Sequence, residues 1–487
     1  MAKKFKIKGK MIVGCQDGEH RILRDGCIVI GGNTIVHVGK SYHDPVDEVI
    51  DAGNRLITPG LINTHAHLHQ SPLDTSFIED IGKRQFHLSS LPYLLPARGA
   101  SMDAAAEEAC VDYSMDQLIR TGTTTVMEIG PIGDYVADAV EEAGLRAYIA
   151  NGYRSARWFT RDCRTVAYEW DEKAGIEKFH HACEFIERID GRANGRIRGF
   201  LSPGQVDTCT EELLRMSRKA SDEMQVPLAL HTAQSVYEFF EIVKRHGLTP
   251  VEWLESINFL GEWCILGHVH YIAGNSWVQF AGDDLSILAR NSASVAHDPW
   301  VFNREGEAME SFPAYLDAGV NVCLAADSSP QSMINSMRWA SVMGKIMIRQ
   351  TEKSTAADAF NAATLNAAKM LHREDLGRIA PGAKADLLFW DIVSLNMVPL
   401  RDPIKNIVFN ATHEDLKDVM IDGRWVMQDK RVLTIDEETV CRNLQAAGER
   451  SWAAMTPGDW GGDETGDWFT KQAGDEISPH TYRDFEE

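Results

Sequence analysis

The chain has 487 residues, and 71 acidic against 49 basic side chains give it a formal charge of −22, which disfavours nucleic acid or an anionic membrane as a partner. No apolar run is long enough to span a bilayer, and the opening MAKKFKIKGKMIV lacks the hydrophobic region and cleavage site of a signal peptide. Nine scattered cysteines without a CxxC spacing disfavour a disulfide framework, so we predict a cytoplasmic protein.

The two ends of the chain predict strands of one small domain. The first fifty or so residues alternate apolar and polar side chains around a GGN turn at residues 31–33, which indicates a small antiparallel sheet. Strand-like text returns near the end, in ADLLFWD and in DVMIDGRWVMQDKRVLTID with its DG turn. We therefore predict a composite β-sandwich domain made of residues 1–58 and 377–445, followed by an acidic C-terminal tail at residues 446–487.

The middle of the chain, residues 59–376, predicts a (β/α)8 barrel of the α/β class. Short apolar runs alternate there with amphipathic stretches that end at Gly or Asn, as in βα units around a parallel sheet. Eight such runs can be counted, and eight strands each followed by a helix make a TIM barrel. The runs are LITPGLINTHAH, TTTVMEIG, LRAYIANGY, IRGFLSP, PLALHTA, CILGHVH, SASVAHD and VNVCLAAD.

Metal-binding residue types stand at the carboxyl ends of the predicted strands, where the reactive residues of a barrel lie. They are His65, His67, His231, His268, His297 and Asp327. In THAH, the two imidazoles are two residues apart on an extended strand, so both point to one face. With them, His231 and Asp327 would complete a set of three histidines and one carboxylate, which suits one Zn²⁺ or Fe²⁺ and leaves room for water.

These residues also suggest catalytic roles. A divalent ion lowers the pKa of a bound water to about 7 and so supplies a nucleophile at neutral pH. Asp327 would accept the water's proton and pass it to the leaving group, while His268 would orient the water or stabilise charge on the substrate oxygen. His270 lies two residues further along the same strand face and could take the place of His268.

Each of these residues also has a plainer interpretation. A lone histidine at a strand end is more often a packed core or surface residue, and Asp327 alone would pass for a helix cap. His69, like His270, is as well explained by packing as by metal binding, and Cys209 and Cys323 have no evident base beside them. The functional interpretation depends on the coincidence of all the candidate ligands in one barrel.

The same segments resemble, in order, a known family. LITPGLINTHAHLHQ, SPGQVDTCTEELL, LALHTAQS, LGHVHYI, SVAHDPWVFN, GVNVCLAADSS and AATLNAAKMLHREDLGRIAPGAKADLLFWD are similar to the amidohydrolase superfamily over about residues 5–440. They look most like its branch of triazine hydrolases, chlorohydrolases and guanine deaminase. The resemblance implies one metal ion, expected to be zinc with Fe²⁺, Co²⁺ or Mn²⁺ as alternatives. It implies that the ion is held by His65, His67, His231 and Asp327, with His268 as the catalytic histidine. RIRGFLSPG on strand 4 has no lysine that could bridge two ions, which agrees with one.

The chain departs from the family pattern at a position that bears on the substrate. Gln234 stands where family members that attack a ring amidine carry a glutamate, and Gln205 lies in PGQ where a related pattern has a Pro-His pair. Glutamine cannot deliver a proton, and a missing general acid costs about 10²–10⁴ in rate. We therefore expect water to attack the carbonyl carbon of a urea, carbamate, thiocarbamate or amide, as in the phenylurea and molinate hydrolases of this superfamily.

Two other functions stay open. The alternative is an aminohydrolase or chlorohydrolase of an N-heterocycle such as a triazine or purine, with water or Asp327 supplying the proton. A third interpretation is a barrel that has lost its activity. The presence of all four candidate metal ligands argues against it.

The substrate contacts are the least determined part of the site. Two long segments between the predicted strands carry Phe77, Phe86, Tyr93, Trp158 and Phe159, which could line an aromatic pocket, pack the loops onto the barrel or fill a subunit interface. The expected partners are a small-molecule substrate and further copies of the chain. The candidate substrate-binding residues are Gln70, Gln205, His297, Phe86 and Trp158, and Gln234 is counted with the catalytic residues.

Overall fold

A computed structural model describes residues 3–75, 84–160, 165–310 and 312–454 of the chain. The strands in these ranges are β1 (Lys4–Gln16), β2 (Glu19–Gly31), β3 (Thr34–Gly39), β4 (Glu48–Asp51), β5 (Arg55–Pro59), β6 (Leu61–Ala66), β7 (Thr123–Gly130), β8 (Arg146–Asn151), β9 (Ala156–Phe159), β10 (Ala167–Trp170), β11 (Ile197–Gly199), β12 (Leu228–Thr232), β13 (Cys264–His268), β14 (Ser294–His297), β15 (Asn321–Leu324), β16 (Leu387–Asp391), β17 (Leu416–Ile421), β18 (Arg424–Gln428) and β19 (Arg431–Val432).

The helices in the same ranges are α1 (Leu91–Ser101), α2 (Ala104–Arg120), α3 (Gly133–Ala143), α4 (Glu172–Ile189), α5 (Arg192–Gly195), α6 (Glu211–Met224), α7 (Val236–His246), α8 (Pro250–Ser256), α9 (Asp284–Arg290), α10 (Pro299–Asn303), α11 (Phe312–Asp317), α12 (Met333–Ile348), α13 (Ala356–Ala362), α14 (Leu365–Met370), α15 (Pro403–Phe409) and α16 (Glu437–Ala454).

Both chain ends build one nine-stranded sheet. Its order is β19-β18-β17-β16-β5-β1-β2-β3, with β4 also paired to β1. The antiparallel pair of β16 and β5 joins the C-terminal strands to the N-terminal ones, as the composite domain predicts. The N-terminal strands β1, β2 and β3 are antiparallel, as expected, whereas β4 and β5 run parallel to β1. Isoleucines of β1 and β2 and Phe389 of β16 are buried in its core.

Eight parallel strands form the barrel, and the predicted fold class is confirmed. They make two arrays, β6-β7-β8-β11 and β12-β13-β14-β15. Parallel bridges join the arrays on both sides, Ala66 to Asp327 and Gln205 to His231. Every residue of β6 and β12 is buried, because helices cover the outer face of such strands while side chains fill the interior.

Local sequence explains where the helices begin and end. Helices α2 and α6 begin after the N-cap residues Asp103 and Thr210, whose side chains each accept a hydrogen bond from the backbone N–H three residues on. Both α3 and α7 end at a glycine in the left-handed conformation. These signals fix helix ends on the outside of the barrel and leave the strand ends free to carry the site.

Three segments differ from the expectation or extend it. The long loop before α2 contains α1, and the insertion after β8 contains the antiparallel hairpin of β9 and β10. Helix α16 runs past residue 446, so its last turns lie in the segment expected to be a tail. Phe77, the Tyr93 side chain and residues 455–487 lie outside the described residues, and the domain limits stay predictions. Across the part of the chain described, no helix is long and apolar enough to cross a membrane.

Candidate metal centre

The strand ends bring the predicted ligands to one point. His65 lies in β6 with His67 just beyond it, and His231 lies in β12. Asp327 follows β15, and two backbone hydrogen bonds fix it beside β6. The Asp327 N–H donates to the carbonyl of His65 at 2.9 Å, and the His67 N–H donates to the carbonyl of Asp327 at 2.8 Å. The first and last strands of the barrel therefore hold three of the four predicted ligands in register.

The donor atoms of these side chains face one another. His65 Nε2 lies 3.3 Å and His67 Nε2 lies 3.6 Å from Asp327 Oδ1. His67 Nε2 is 3.2 Å from His231 Nε2. The separations are those of ligands gathered around a single ion, in which each donor stands about 2 Å from the metal.

The other ring nitrogens show that the set fits a cation. Nδ1 of His67 lies 2.9 Å from the carbonyl oxygen of Ile129, and Nδ1 of His231 lies 2.9 Å from that of Gly204. A carbonyl only accepts, so both Nδ1 atoms carry the proton and both Nε2 atoms present lone pairs. Two lone pairs 3.2 Å apart, beside a carboxylate, repel unless a cation lies between them. These residues therefore fit a divalent ion.

The electrostatics agree with this donor set. Burial lowers the pKa of His67 to about 3 and that of His231 well below its usual value, so both imidazoles are neutral ligands at pH 7. Burial alone would raise the pKa of Asp327, but the hydrogen bond with His65 and the electrostatic attraction of the histidine rings around the carboxylate outweigh it and hold that pKa below its usual range. The carboxylate is ionised, as metal ligation requires.

His268, and not His270, faces this centre. The His268 ring centroid lies 5.0 Å from that of His65 and 5.3 Å from that of His231. The His270 ring lies behind it, 5.7 Å from the His297 ring. His268 Nδ1 is 2.6 Å from Asp298 Oδ2. Burial would lower the pKa of His268, but the charge of Asp298 outweighs burial and raises it.

A cavity of about 430 Å³ opens onto the ligands. It is large enough for a small organic substrate. Its walls include His67, His231 and Asp327, together with the predicted contacts Gln70, Gln205 and Gln234. A larger cavity of about 860 Å³, near the amino ends of β14 and β15, includes none of these residues.

Three predicted substrate contacts do not line the cavity, among the residues the structure describes. Trp158 is buried, and its Nε1 donates to Asp207 at 2.8 Å. Phe86 is buried beside Tyr237, and the His297 ring stacks on Phe312. These aromatic side chains were predicted from sequence position, but their large apolar surfaces pack inward and do not face the cavity.

Sequence reasoning missed several acidic residues near the site. Glu238, in the first turn of α7, accepts the backbone N–H groups of Ala233 at 2.6 Å and Gln234 at 3.0 Å, and its spacing from Gln234 was a usable signal. Glu305 lines the cavity, where burial raises its pKa to about 7. Asp298 follows β14 in HDP and precedes the proline that begins α10, a sequence that also fits the start of a helix.

A further missed pair is Asp74 and Arg98, in the cavity wall. Arg98 Nη2 donates to Asp74 Oδ2 at 2.7 Å, and both side chains are buried. Spacing in the sequence gave no signal for this pair, because the partners belong to a short 3-10 helix (Ser71–Asp74) and to α1, and only folding brings them together.

Comparisons with known proteins agree with this geometry. The model of the Amidohydrolase family matches residues 56–426. The chain is 29% identical over 439 residues to a 5'-deoxyadenosine deaminase of Methanothermobacter thermautotrophicus, covering 87% of this chain and 94% of the relative. It superposes on an adenosine deaminase from Xanthomonas campestris with bound zinc at a TM-score of 0.79, with 19% identity over 93% of this chain and 99% of the other.

A second solved structure has the same architecture. It is the atrazine chlorohydrolase of Arthrobacter aurescens complexed with zinc, with a TM-score of 0.77 and 20% identity over 91% of this chain and 100% of the other. The predicted family is confirmed. The family match spans most of the chain: this protein belongs to the amidohydrolase family and is a hydrolase of carbon–nitrogen bonds other than peptide bonds.

Proposed function

We propose that this protein is a zinc-dependent deaminase that hydrolyses the exocyclic C–NH₂ bond of an N-heterocycle, with a 6-aminopurine nucleoside as the first substrate class. The observation that carries the proposal is the centre of His65, His67, His231 and Asp327 at the wall of the 430 Å³ cavity. Near full-length similarity to a 5'-deoxyadenosine deaminase supports the substrate class. The reaction adds water to the ring carbon and releases ammonia.

The metal would be held by the four residues of that centre. Bound there, a divalent ion supplies a water that is nucleophilic at neutral pH. The family's zinc-containing structures support zinc as the ion, and these ligand types also accept iron, cobalt or manganese.

The chain's own groups divide the proton transfers between them. Asp327 Oδ1, ionised and 3.3 Å from His65, accepts the proton that leaves the attacking water and returns it to the departing amine. The His268 ring, with its Nδ1 beside Asp298, lies next to the rings of His65 and His231 and stabilises the charge that develops as water attacks. Gln234 in the cavity wall orients the ring through its side-chain amide.

Gln234 also supports a second candidate, hydrolysis of a urea, carbamate, thiocarbamate or amide. Its Oε1 is buried and has no hydrogen-bond partner among the described residues, so the amide is free to bind a substrate N–H. A carbonyl substrate needs no ring protonation, and the lack of a carboxylic acid at this position would cost it nothing. The comparisons favour the deaminase over this candidate.

One panel of substrates separates the two candidates. Purified, zinc-replete protein is assayed on 5'-deoxyadenosine, guanine and an aminotriazine by ammonia release, and on a phenylurea and a thiocarbamate by amine or thiol release. His67→Asn, prepared in parallel, controls for contaminating activity, and zinc content is measured on each sample. Turnover of the amino-heterocycles alone is expected. Turnover confined to the ureas or thiocarbamates contradicts the deaminase and supports the second candidate.

A further inference from the structure

The carboxylate of Asp298 makes a short contact with the catalytic histidine. Asp298 follows β14 directly and is fully buried. Its Oδ2 lies 2.6 Å from Nδ1 of His268, which is also fully buried. The two groups form an ion-pair contact whose angles lie outside ordinary hydrogen-bond geometry, and this contact places the carboxylate on the Nδ1 side of the ring.

We propose that Asp298 is the positioning residue for His268, fixing the ring's rotation and tautomer so that Nε2 faces the metal centre. The proposal rests on the proposed function only in assigning His268 to hydrolysis. It concerns a residue that neither the ligand set nor the cavity wall includes.

The surroundings of His268 show why the ring needs a fixed partner. His268 ends β13 with φ at 74°, a backbone conformation that side chains other than glycine adopt rarely. Neither ring nitrogen has a hydrogen-bond partner of ordinary geometry among the described residues, so the ring depends on the ion-pair contact of Nδ1 with Asp298. The Phe302 ring, 5.0 Å away, contacts it through an apolar edge and does not distinguish its two nitrogens. Asp298, which is charged and contacts Nδ1, does distinguish the two nitrogens of the ring.

A competing role for Asp298 would be to hold a second ion with His270 and His297. The three side chains are buried, and their donor atoms lie within 4.8 Å of one another. However, Oδ2 already contacts His268, and Oδ1 is 3.8 Å from His270 Nε2. That separation exceeds the 3.2–3.6 Å found between the donors of the catalytic set. His270 instead packs on Phe302, with centroids 4.2 Å apart.

A spectroscopic test does not depend on the substrate. A short N–H to carboxylate contact gives a strongly downfield imidazole N–H resonance, observable in protein labelled with ¹⁵N-histidine. We expect this resonance in the wild type and in Asp284→Asn, a buried aspartate bonded to Thr249 and the Ala273 N–H. It should be absent from His268→Asn and from Asp298→Asn, and its persistence in Asp298→Asn overturns the proposal.

Kinetics on 5'-deoxyadenosine test the consequence. Asp298→Asn should lower kcat by about 10²–10⁴-fold with little change in KM, because the tautomer and aim of His268 are lost. Asp298→Glu, which keeps the carboxylate, should recover part of the loss and serves if the asparagine variant does not fold. Since Asp298 acts through His268, the double variant Asp298→Asn with His268→Asn should lose no more activity (kcat) than His268→Asn alone.

Two results contradict this role. Losses that multiply in the double variant would show that Asp298 acts independently of His268. Two zinc ions per chain in the wild type, falling to one in Asp298→Asn, would assign Asp298 to a metal site. If the wild type turns over ureas and not 5'-deoxyadenosine, the deaminase proposal fails. The positioning role of Asp298 is then still tested by the N–H resonance and by the kinetics of the single and double variants on the urea.

Discussion

Nε2 of His67 and Nε2 of His231 face each other across 3.2 Å, while Nδ1 of each ring is fixed 2.9 Å from a backbone carbonyl oxygen. The carbonyl of Ile129 belongs to β7 and that of Gly204 to the loop after β11, so the backbone sets both tautomers. Two acceptors are thus held in repulsive contact in the absence of a cation. The backbone therefore orients His67 and His231 as metal ligands, and a bound metal should in turn stabilise the fold.

We therefore predict that removing the ion lowers stability as well as activity. A bound ion at one hundred times its Kd stabilises a folded protein by about 2.7 kcal/mol, and chelation should remove a contribution of this order. Calorimetry with and without chelator, beside zinc analysis, measures it. His67→Asn should lose the ion, whereas the exposed His413→Asn should keep wild-type zinc and Tm. An unchanged Tm on loss of zinc would show that the ligands are not strained without it.

Gln234→Glu should raise deamination of an amino-heterocycle and leave or lower turnover of a urea. A carboxylic acid in the cavity wall could protonate the ring nitrogen as water adds, a step typically worth about 10²–10⁴ in rate. The backbone of Gln234 is already held by Glu238, so the new side chain should keep its position. kcat/KM on both substrate classes is the measurement, with the exposed Gln279→Glu as control. A loss of ring deamination would argue that the amide itself does the binding.

Much of the barrel and the ligand set could be predicted from the sequence, because both follow from local patterns. The period of the strands and the position of each histidine at a strand end determine where the imidazoles of His65 and His231 meet. A register shift along β13 would have exchanged His268 for His270, and the sequence left that choice open. The structure resolves it, because the His268 ring lies 5.0 Å from that of His65 and 5.3 Å from that of His231.

The cavity wall could not be predicted in the same way. Whether an aromatic side chain lines a pocket or packs beneath it depends on contacts between distant segments, such as Trp158 with Asp207. The Asp74–Arg98 pair likewise joins residues whose spacing carries no periodic signal. Burial of charged groups in the wall is a property of the assembled fold, and it is visible only there.

Glu307 should make stability depend on pH in a direction that can be measured. Burial raises its pKa to about 8, from about 4.5 when unfolded, although the hydroxyl of Tyr271 donates to it and partly opposes the shift. Between these pH values, folded Glu307 holds a proton that it lacks in the unfolded chain. The contribution of Glu307 to stability is therefore fully present below pH 4.5 and is lost as the pH rises to 8. The loss approaches about 1.4 kcal/mol per pH unit.

Glu307→Gln should remove this component of the pH dependence. The free energy of unfolding of the wild type minus that of the variant, from urea titrations at pH 5, 6, 7 and 8, should fall with pH. Because both proteins carry the same metal ligands, the metal's own pH dependence cancels in the difference. The exposed Glu449→Gln should follow the wild-type slope. A difference that is constant from pH 5 to 8 would mean that Glu307 is ionised in the folded protein throughout.

Gly60→Ala should strain the junction between the composite sheet and the barrel. Gly60 connects β5 to β6, and its N–H donates to the Asp386 carbonyl at 2.9 Å. A Cβ there would lie 2.0 Å from Oγ1 and 2.4 Å from Cγ2 of Thr124, a buried residue of β7. We expect the free energy of unfolding to fall by about 1–3 kcal/mol, because a packed core resists an added methyl group.

A second substitution tests the cause of that loss. Thr124→Ala removes the two nearest atoms, so the double variant should regain part of the stability, with a coupling energy of about 0.5–3 kcal/mol. Gly99→Ala, where an added Cβ would meet no atom within 4 Å, is the matched control and should be neutral or slightly stabilising. If the two losses simply add, the junction accommodates the methyl group by moving the backbone, and Thr124 does not limit it.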